Sequence, residues 1–326
     1  MLKIQKELCF KELNDFIDYC ENTNKSSEQT LYNYFRDLLL FFRYMKFIKG
    51  NASPAQEIAG IPIDDVDIEF IKTINTEDIY RYLDYLEIKK NNSPTTISRR
   101  VTSLKVFFKY LSVTTDALVK NPTVQLKVKP KNTKKPPLKY MNETECINLL
   151  NSINGFQKER DYCIIVIFIN SGIRLSELVR LDDTDIKPDG SVIIRGRNTT
   201  RTIYFNKACM EAIAEYNDFK EEYFKGKRYD HHAIFVGKGG KRLSPRWVEE
   251  LVSRRMKKAG FGDKGLSPSK LRHTSAMLMY RRGADISMMK DILGHKVIAS
   301  TEIYAEDKSS QIESIMKNSS ISRSKK

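Results

Sequence analysis

Ser171-Gly172-Ile173-Arg174-Leu175-Ser176-Glu177-Leu178 is the stretch on which the fold of this chain turns. An apolar run from Cys163 to Ile169 leads into it. Gly172 then stops the helix, an arginine sits at the break, and a second helix begins near Leu175 and is expected to end near Leu181. The run is far short of the ~18 apolar residues of a membrane span, so it reads as a buried central element. Working outward, Asn142 caps a helix with Glu143 and Glu145 in its first turn, and the helix carrying the apolar run covers about Glu159 to Ser171. Ser191 to Ile194 and Arg201 to Phe205 alternate like the strands of a hairpin, with Arg195 to Thr200 as its turn. Further helices are expected over Lys207 to Phe224, Ser244 to Ala259, Pro268 to Arg281, Ile286 to Leu293 and Thr301 to about Met316. The Ser/Lys-rich tail 318–326 is expected to fray.

Upstream, Lys127 to Lys139 (KVKPKNTKKPPLK) holds three prolines and six lysines in thirteen residues. It packs into neither a helix nor a central strand. It is an extended basic linker, either lying along a phosphate backbone or serving as a solvated hinge. The expected division is 1–126, linker 127–140, a second domain 141–317 and the tail. Residues 1–126 read as helical. Ser27 to Ile48 has apolar residues at helical spacing, 51–75 is a loop with one short acidic element, Thr76 caps a helix to about Lys89, and Ser93-Pro94 starts another. The last buries Ile97, Val101, Leu104, Phe108 and Leu111 and turns Arg99, Arg100, Lys105 and Lys109 outward, as a solvated face or a phosphate contact. The aromatics lie at core spacing.

The 326 residues fit about two domains. With 56 Lys+Arg against 41 Asp+Glu, the net charge is +15. Residues 1–126 are neutral in sum (17 basic, 17 acidic), the linker is +6, and 141–326 carries +9. A polyanion met by the linker and the C-terminal half fits this distribution, and so does a merely basic surface. Lys241 and Arg242 are further cationic candidates. Five widely spaced cysteines with no C-x-x-C pair exclude a disulfide scaffold and a cysteine-rich zinc module, and fit a reducing cytoplasm. Met1 to Phe10 has no uninterrupted apolar core, which argues against a secretory signal.

Two more stretches join the first. Leu266-Ser267-Pro268-Ser269-Lys270-Leu271-Arg272-His273-Thr274 opens a helix with Pro268 in its first turn. Leu293-Gly294-His295 is followed by Ser300-Thr301-Glu302-Ile303-Tyr304. Taken singly, each has an ordinary reading as a cap, a half-solvated pair or a packed tyrosine. Together they bring two arginines, a histidine and a tyrosine into a basic domain with neither a nucleotide-binding glycine loop nor an acidic metal cluster. That set suits phosphoryl transfer in which arginine forks neutralise phosphate oxygens and a tyrosine oxygen attacks phosphorus, with no cofactor or metal expected.

The three stretches resemble the boxes of the tyrosine recombinases, or phage integrase family, and most of all its short Xer-type members. SGIRLSEL is similar to T-G-L-R-x-S-E-L, SPSKLRHT to S-P-H-x-L-R-H-T, and LGH with Tyr304 nine residues after His295 to the third box. TLYNYFRDLLLFFRYM, SPTTISRRVTSLKVFFKYL and the linker resemble the family's core-binding domain and interdomain segment. The likeness covers nearly the whole chain except 51–75. It implies a mainly α fold with a small β-sheet in the catalytic domain, as a two-domain DNA clamp: a helical, SAM-like core-binding domain and a tyrosine-recombinase catalytic domain. It implies Tyr304 as nucleophile, Arg174, Arg272 and His295 around the phosphate, Glu177 orienting Arg174, and His273 in support. Double-stranded DNA with a specific site is the implied substrate, bound by a homo-tetramer or a hetero-tetramer with a related recombinase, in the cytoplasm on the nucleoid.

Two positions depart from the family pattern. Arg197 stands where a hairpin-turn lysine is usual, and an arginine with a pKa above ~12 donates a proton poorly. Ser269 stands where the first histidine of H-x-x-R is usual, and a serine is no base near neutral pH. An attenuated enzyme, a recombinase-derived DNA-binding protein and a type IB topoisomerase-like enzyme are therefore the rival expectations. The absence of an arm-binding domain ahead of residue 1 leads to the expectation of a simple system, either chromosome-dimer resolution or mobile-element integration.

Overall fold

The computed structural model describes residues 9–23, 25–53, 55–127, 139–196 and 200–294. The chain divides into two compact units, 1–135 and 136–326. Both are built mainly from helices.

In the first unit, α1 (Lys11–Asn22) and α2 (Glu28–Ile48) pack on α4 (Thr76–Asp84) and α5 (Pro94–Lys109), with the short α3 (Ile68–Lys72) between α2 and α4 in sequence. Phe16, Phe41, Phe42, Tyr82, Phe107 and Phe108 are almost wholly buried. Edge-to-face pairs such as Phe16–Phe107 at 5.3 Å and Phe41–Tyr82 at 5.2 Å lock the helices together. The aromatics are therefore core. Ser27 caps α2 and Ser93 caps α5, each accepting from a backbone N–H three residues on. The cap of α4 is Asn75, in a reciprocal pair with Asp78. Thr76, expected as that cap, is the first helical residue and donates its hydroxyl to the Pro122 carbonyl at 2.8 Å. Segment 51–75 is more structured than expected. It holds a turn of 3₁₀ helix at Ile58–Gly60 as well as α3, and Ile63 bridges Cys9.

In the second unit, α7 (Lys158–Ser171) buries ten of its fourteen residues. It is apolar nearly all round because α6 (Glu143–Asn151), α9 (Lys207–Tyr223) and α11 (Pro268–Arg281) pack against it. Asn142 caps α6 as expected, with Glu145 reciprocating. β1 (Ser191–Arg195) and β2 (Thr200–Tyr204) form one antiparallel hairpin with Val192 opposite Ile203 and Ile194 opposite Arg201. α8 (Leu175–Leu178) ends earlier than the sequence suggests. Past it the chain tightens, with the N–H groups of Arg180 and Leu181 bonding carbonyls three residues back, and Arg242 Nη1 donates to the carbonyls of Val179 and Leu181 at 3.1 Å each, which a helix end leaves without helical partners. α10 (Pro245–Lys258) and α12 (Ile286–Leu293) complete the unit, and α12 packs against β2 and α11.

Candidate active site

Gly172 ends α7 at φ 61°. A Cβ there would come within 2.7 Å of Leu293 Cδ2 and 3.2 Å of Ser275 Oγ, so both the left-handed backbone and the close approach of α11 and α12 call for glycine. The turn delivers Arg174 to the N-cap of α8. Its backbone N–H donates to Glu177 Oε2 at 2.9 Å, and its Nη1 donates to Glu177 Oε1 at 2.9 Å. One carboxylate thus satisfies an orphan helix-start donor and orients the guanidinium.

Glu177 is buried and serves a second arginine. Arg201, on β2, donates Nη1 to Oε1 at 2.8 Å and Nη2 to Oε2 at 2.9 Å, a bidentate fork. Burial pushes the Glu177 carboxyl up. The Arg201 fork, the Arg174 N–H and the neighbouring positive charge outweigh it and hold the carboxyl at about 2. The carboxylate form is therefore the one favoured near neutral pH.

The end of α12 gathers the arginines. Arg201 Nε donates to the Ile292 carbonyl at 2.9 Å, Arg272 Nη2 to that of Leu293 at 2.5 Å, and Arg174 Nη2 to that of Gly294 at 2.6 Å. These three successive carbonyls belong to a helix end whose acceptors lack helical partners and whose dipole favours cations. Arg272 Nη1 also donates to the Gly172 carbonyl at 2.6 Å, which ties α11 to the α7–α8 turn. The two arginines expected from sequence, Arg174 and Arg272, therefore meet the carbonyls of Gly172, Leu293 and Gly294 in one constellation.

A cavity of about 420 Å³ opens over this cluster, lined by Arg174, Ser176, Pro245, Ser269, Arg272 and His273 among others. Arg174 is 38 % exposed at its side chain, and Ser269 is exposed. Burial, then Arg272 and Lys270, lowers the His273 pKa and favours the neutral ring. Ser269 and Arg272 share the cavity wall, as their three-residue spacing on one helix predicts. Arg197, His295 and Tyr304 lie outside the described residues, as do Lys131, Lys134 and Lys135.

The remaining cations divide. Lys105, Lys109 and Lys241 are exposed. Arg99 and Arg100 both pair with the buried Asp37 of α2, Arg100 at 3.5 Å, so the acid missing from α5 comes from its neighbour. Arg242 is committed within the fold, to the two carbonyls named above, to Asp182 at 2.5 Å and to Asp230 at 3.6 Å.

Sequence reasoning did not single out Arg201. A signal was present. Arg201, Ile203 and Phe205 fall on one face of the strand, so an arginine occupies a core-facing position. A buried arginine needs a buried acid.

Residues 139–311 match the model of the phage integrase family. The chain is 39 % identical over 323 residues to a tyrosine recombinase XerC of Caldanaerobacter subterraneus, covering 96 % of this chain and 90 % of that protein. It is 30 % identical over 295 residues to a tyrosine recombinase XerC of Leptospira interrogans, covering 89 % and 86 %. Its fold is similar to that of a XerH site-specific recombinase bound to a palindromic difH substrate (TM-score 0.70, 17 % identity, 93 % and 84 % covered). It is also similar to a Tn1549 transposon integrase in complex with a circular intermediate DNA (TM-score 0.65, 18 % identity, 94 % and 99 % covered). The chain belongs to the phage integrase family of tyrosine recombinases. Its activity is the cutting and rejoining of DNA strands in site-specific recombination.

Proposed function

We propose that strand exchange runs through Tyr304 as nucleophile, with the scissile phosphate seated over Arg174 and Arg272. The observation that carries this reading is the convergence of both arginines on the last turn of α12, directly ahead of His295, which stands nine residues before Tyr304 in the chain. Each guanidinium is oriented by backbone carbonyls, and Arg174 also by Glu177, so little reorganisation is needed when charge builds on the phosphate.

In this reading Tyr304 Oη gives up its proton as it attacks phosphorus, a 3′-phosphotyrosyl bond forms, and the bond to the 5′ oxygen breaks. The leaving oxygen takes up a proton and departs as a 5′ hydroxyl. A 5′ hydroxyl from a partner strand then attacks the phosphotyrosine and restores both the phosphodiester and the tyrosine. The bond count is unchanged, so the exchange draws on no nucleotide hydrolysis. His295 donates to a phosphate oxygen, and His273, neutral beside Arg272, supports it. Arg197 supplies charge at the hairpin turn rather than the proton. Ser269 supplies a hydrogen bond rather than a base.

Residues 1–126 and 141–317 each meet the duplex, with 127–140 as the basic linker that joins them and 318–326 as a tail. Lys105, Lys109, Lys131, Lys134, Lys135 and Lys241 meet phosphates, and Arg99 and Arg100 do so from their Asp37 anchor. Arg242 adds positive charge from within the fold. Four protomers, or two pairs of related recombinases, assemble on two sites on the nucleoid.

The test is a nicked suicide substrate carrying the recombination site. The wild type is expected to trap covalent DNA, and Tyr304→Phe to bind the same DNA with no covalent complex. Covalent complex persisting in Tyr304→Phe removes Tyr304 from the reaction.

A further inference from the structure

Arg201 resembles the two arginines of the cavity in what it holds, and differs in what it has left to offer. Its Nε is taken by the Ile292 carbonyl, and its Nη1 and Nη2 by the two oxygens of Glu177. Its side chain is 13 % exposed, and it does not line the cavity. Arg174, by contrast, opens into that cavity while sharing Glu177 with it. Gly294 packs directly on the Arg201 guanidinium: a Cβ at 294, where φ is 63°, would sit 2.8 Å from Nη1.

We propose that Arg201 is a positioning residue for strand cleavage, acting through Glu177 on Arg174 and through Ile292 on the last turn of α12. Its planar fork reaches two elements at once. Glu177 Oε1 receives Arg174 Nη1 and Arg201 Nη1 together, so the place of that oxygen is fixed by both. Without Arg201, Glu177 keeps only Arg174 and can draw its guanidinium away from the cavity. The end of α12 loses one of its three arginine donors, and the register between Arg174 and Gly294, which share a hydrogen bond of 2.6 Å, is free to drift. Arg201 also sits on β2, five residues short of Asn206 and four past Arg197. The β1–β2 hairpin is thereby pinned to the same carboxylate as Arg174. A lysine at 201 keeps the charge but forms no fork and cannot hold Glu177 and Ile292 in one plane.

The inference rests on Arg174 acting at the phosphate, and the experiment separates the two claims. Single-turnover cleavage of the nicked substrate is measured at saturating DNA for the full-length wild type, Arg174→Ala, Arg201→Lys and the double variant. Thermal unfolding and DNA affinity are recorded alongside. Arg201→Lys is expected to fold and bind as the wild type does, and to cleave about 10²-fold more slowly, the cost of a displacement near 1 Å. In the Arg174→Ala background the same substitution is expected to cost less than about threefold, because its effect passes through Arg174. Wild-type cleavage by Arg201→Lys overturns the proposal. So does an equal slowing in both backgrounds, which would make Arg201 an independent strut. Arg174→Ala cleaving at the wild-type rate overturns instead the placing of Arg174 at the phosphate. If Arg201→Lys does not fold, Arg201→Gln, which keeps a donor within reach of Glu177, goes through the same cycle. Loss of the fold in both assigns Arg201 to stability alone and ends the proposal.

Discussion

Asp37 in the first unit and Glu177 in the second are both buried carboxylates held between two arginines, yet the arginines arrive differently. Asp37 is met by Arg99 and Arg100, neighbours on one helix, and by the Ser103 hydroxyl at 2.7 Å. Its work is to fasten α5 to α2 while Arg99 remains 43 % exposed on the outer face. Glu177 is met from a helix start and from a strand, by arginines that also reach the end of a third element. Asp161 gives a further contrast. Arg160 and Arg255 close over it, each at most 6 % exposed, and Arg160 lies 4.1 Å from the Trp247 ring centroid. That pair ends inside the protein. The acid is alike in all three places. What differs is where the outer guanidinium points: to solvent, to a cavity, or to nothing but protein.

The comparison is broken most forcefully at the outer arginines. Arg174→Ala is expected to slow single-turnover cleavage about 10²–10³-fold with DNA affinity little changed, because it removes donors used as charge develops. Arg99→Ala is expected to weaken DNA binding, reduce the salt slope by about 0.9, and slow cleavage of bound DNA less than about tenfold. Filter binding across a salt series and single-turnover assays read the two effects. Equal losses of cleavage in both variants would dissolve the distinction.

A smaller effect sharpens the comparison at the acids. Glu177 is held at about 2 against an ordinary value of 4.5. A depressed carboxylate stabilises the fold above its unfolded pKa, and that stability is lost as pH falls through the folded value. The window therefore runs from about pH 4.5 down to 2 and spans on the order of 3 kcal/mol. Glu177→Gln is expected to be less stable at pH 7 and to show a shallower fall over that window. Urea midpoints at pH 7 and pH 3.5 for both proteins check it. An unchanged slope between the two pH values would mean that other carboxylates set the acid limb.

What the sequence made legible follows the range of the interactions. Ser27, Ser93, Asn142, Ser244 and Asp285 each accept from a backbone N–H two or three residues on, and their helices are readable from the chain alone. α1 begins at Lys11, behind Phe10, which offers no capping side chain, and nothing local announces it. The ends of α4 and α5 run on into single wide turns at Tyr85–Lys89 and Tyr110–Thr114, for which no residue pattern is diagnostic. In the site, Arg174, Glu177 and Arg272 stand in short motifs, so their types and spacing identify them. Arg201 acts on a carboxylate 24 residues away and a carbonyl 91 residues away, and only the folded chain brings these together.

The smallest expected effect lies at Ser269. Its side chain lines the cavity with Arg272, one helical turn away on α11, so a group placed there would reach a phosphate seated over Arg272 as proposed above. Serine donates or accepts a hydrogen bond but takes no proton near pH 7. A histidine at this position accepts one, and Arg272 and Lys270, which already lower the pKa of His273 after burial has done so, favour its neutral form. Ser269→His is therefore expected to speed single-turnover cleavage while affinity stays nearly constant, since the gain falls in the transition state rather than in binding. General bases contribute about 10²–10⁴-fold where a site is built around them. This site is built around serine, with its cavity shaped by Pro245 and Pro268, so a gain of no more than about tenfold is expected. A gain confined to pH values above the new imidazole's pKa identifies proton acceptance. A gain independent of pH reports a better hydrogen bond instead, and unchanged or slower cleavage with affinity intact places the proton's acceptor elsewhere in the site.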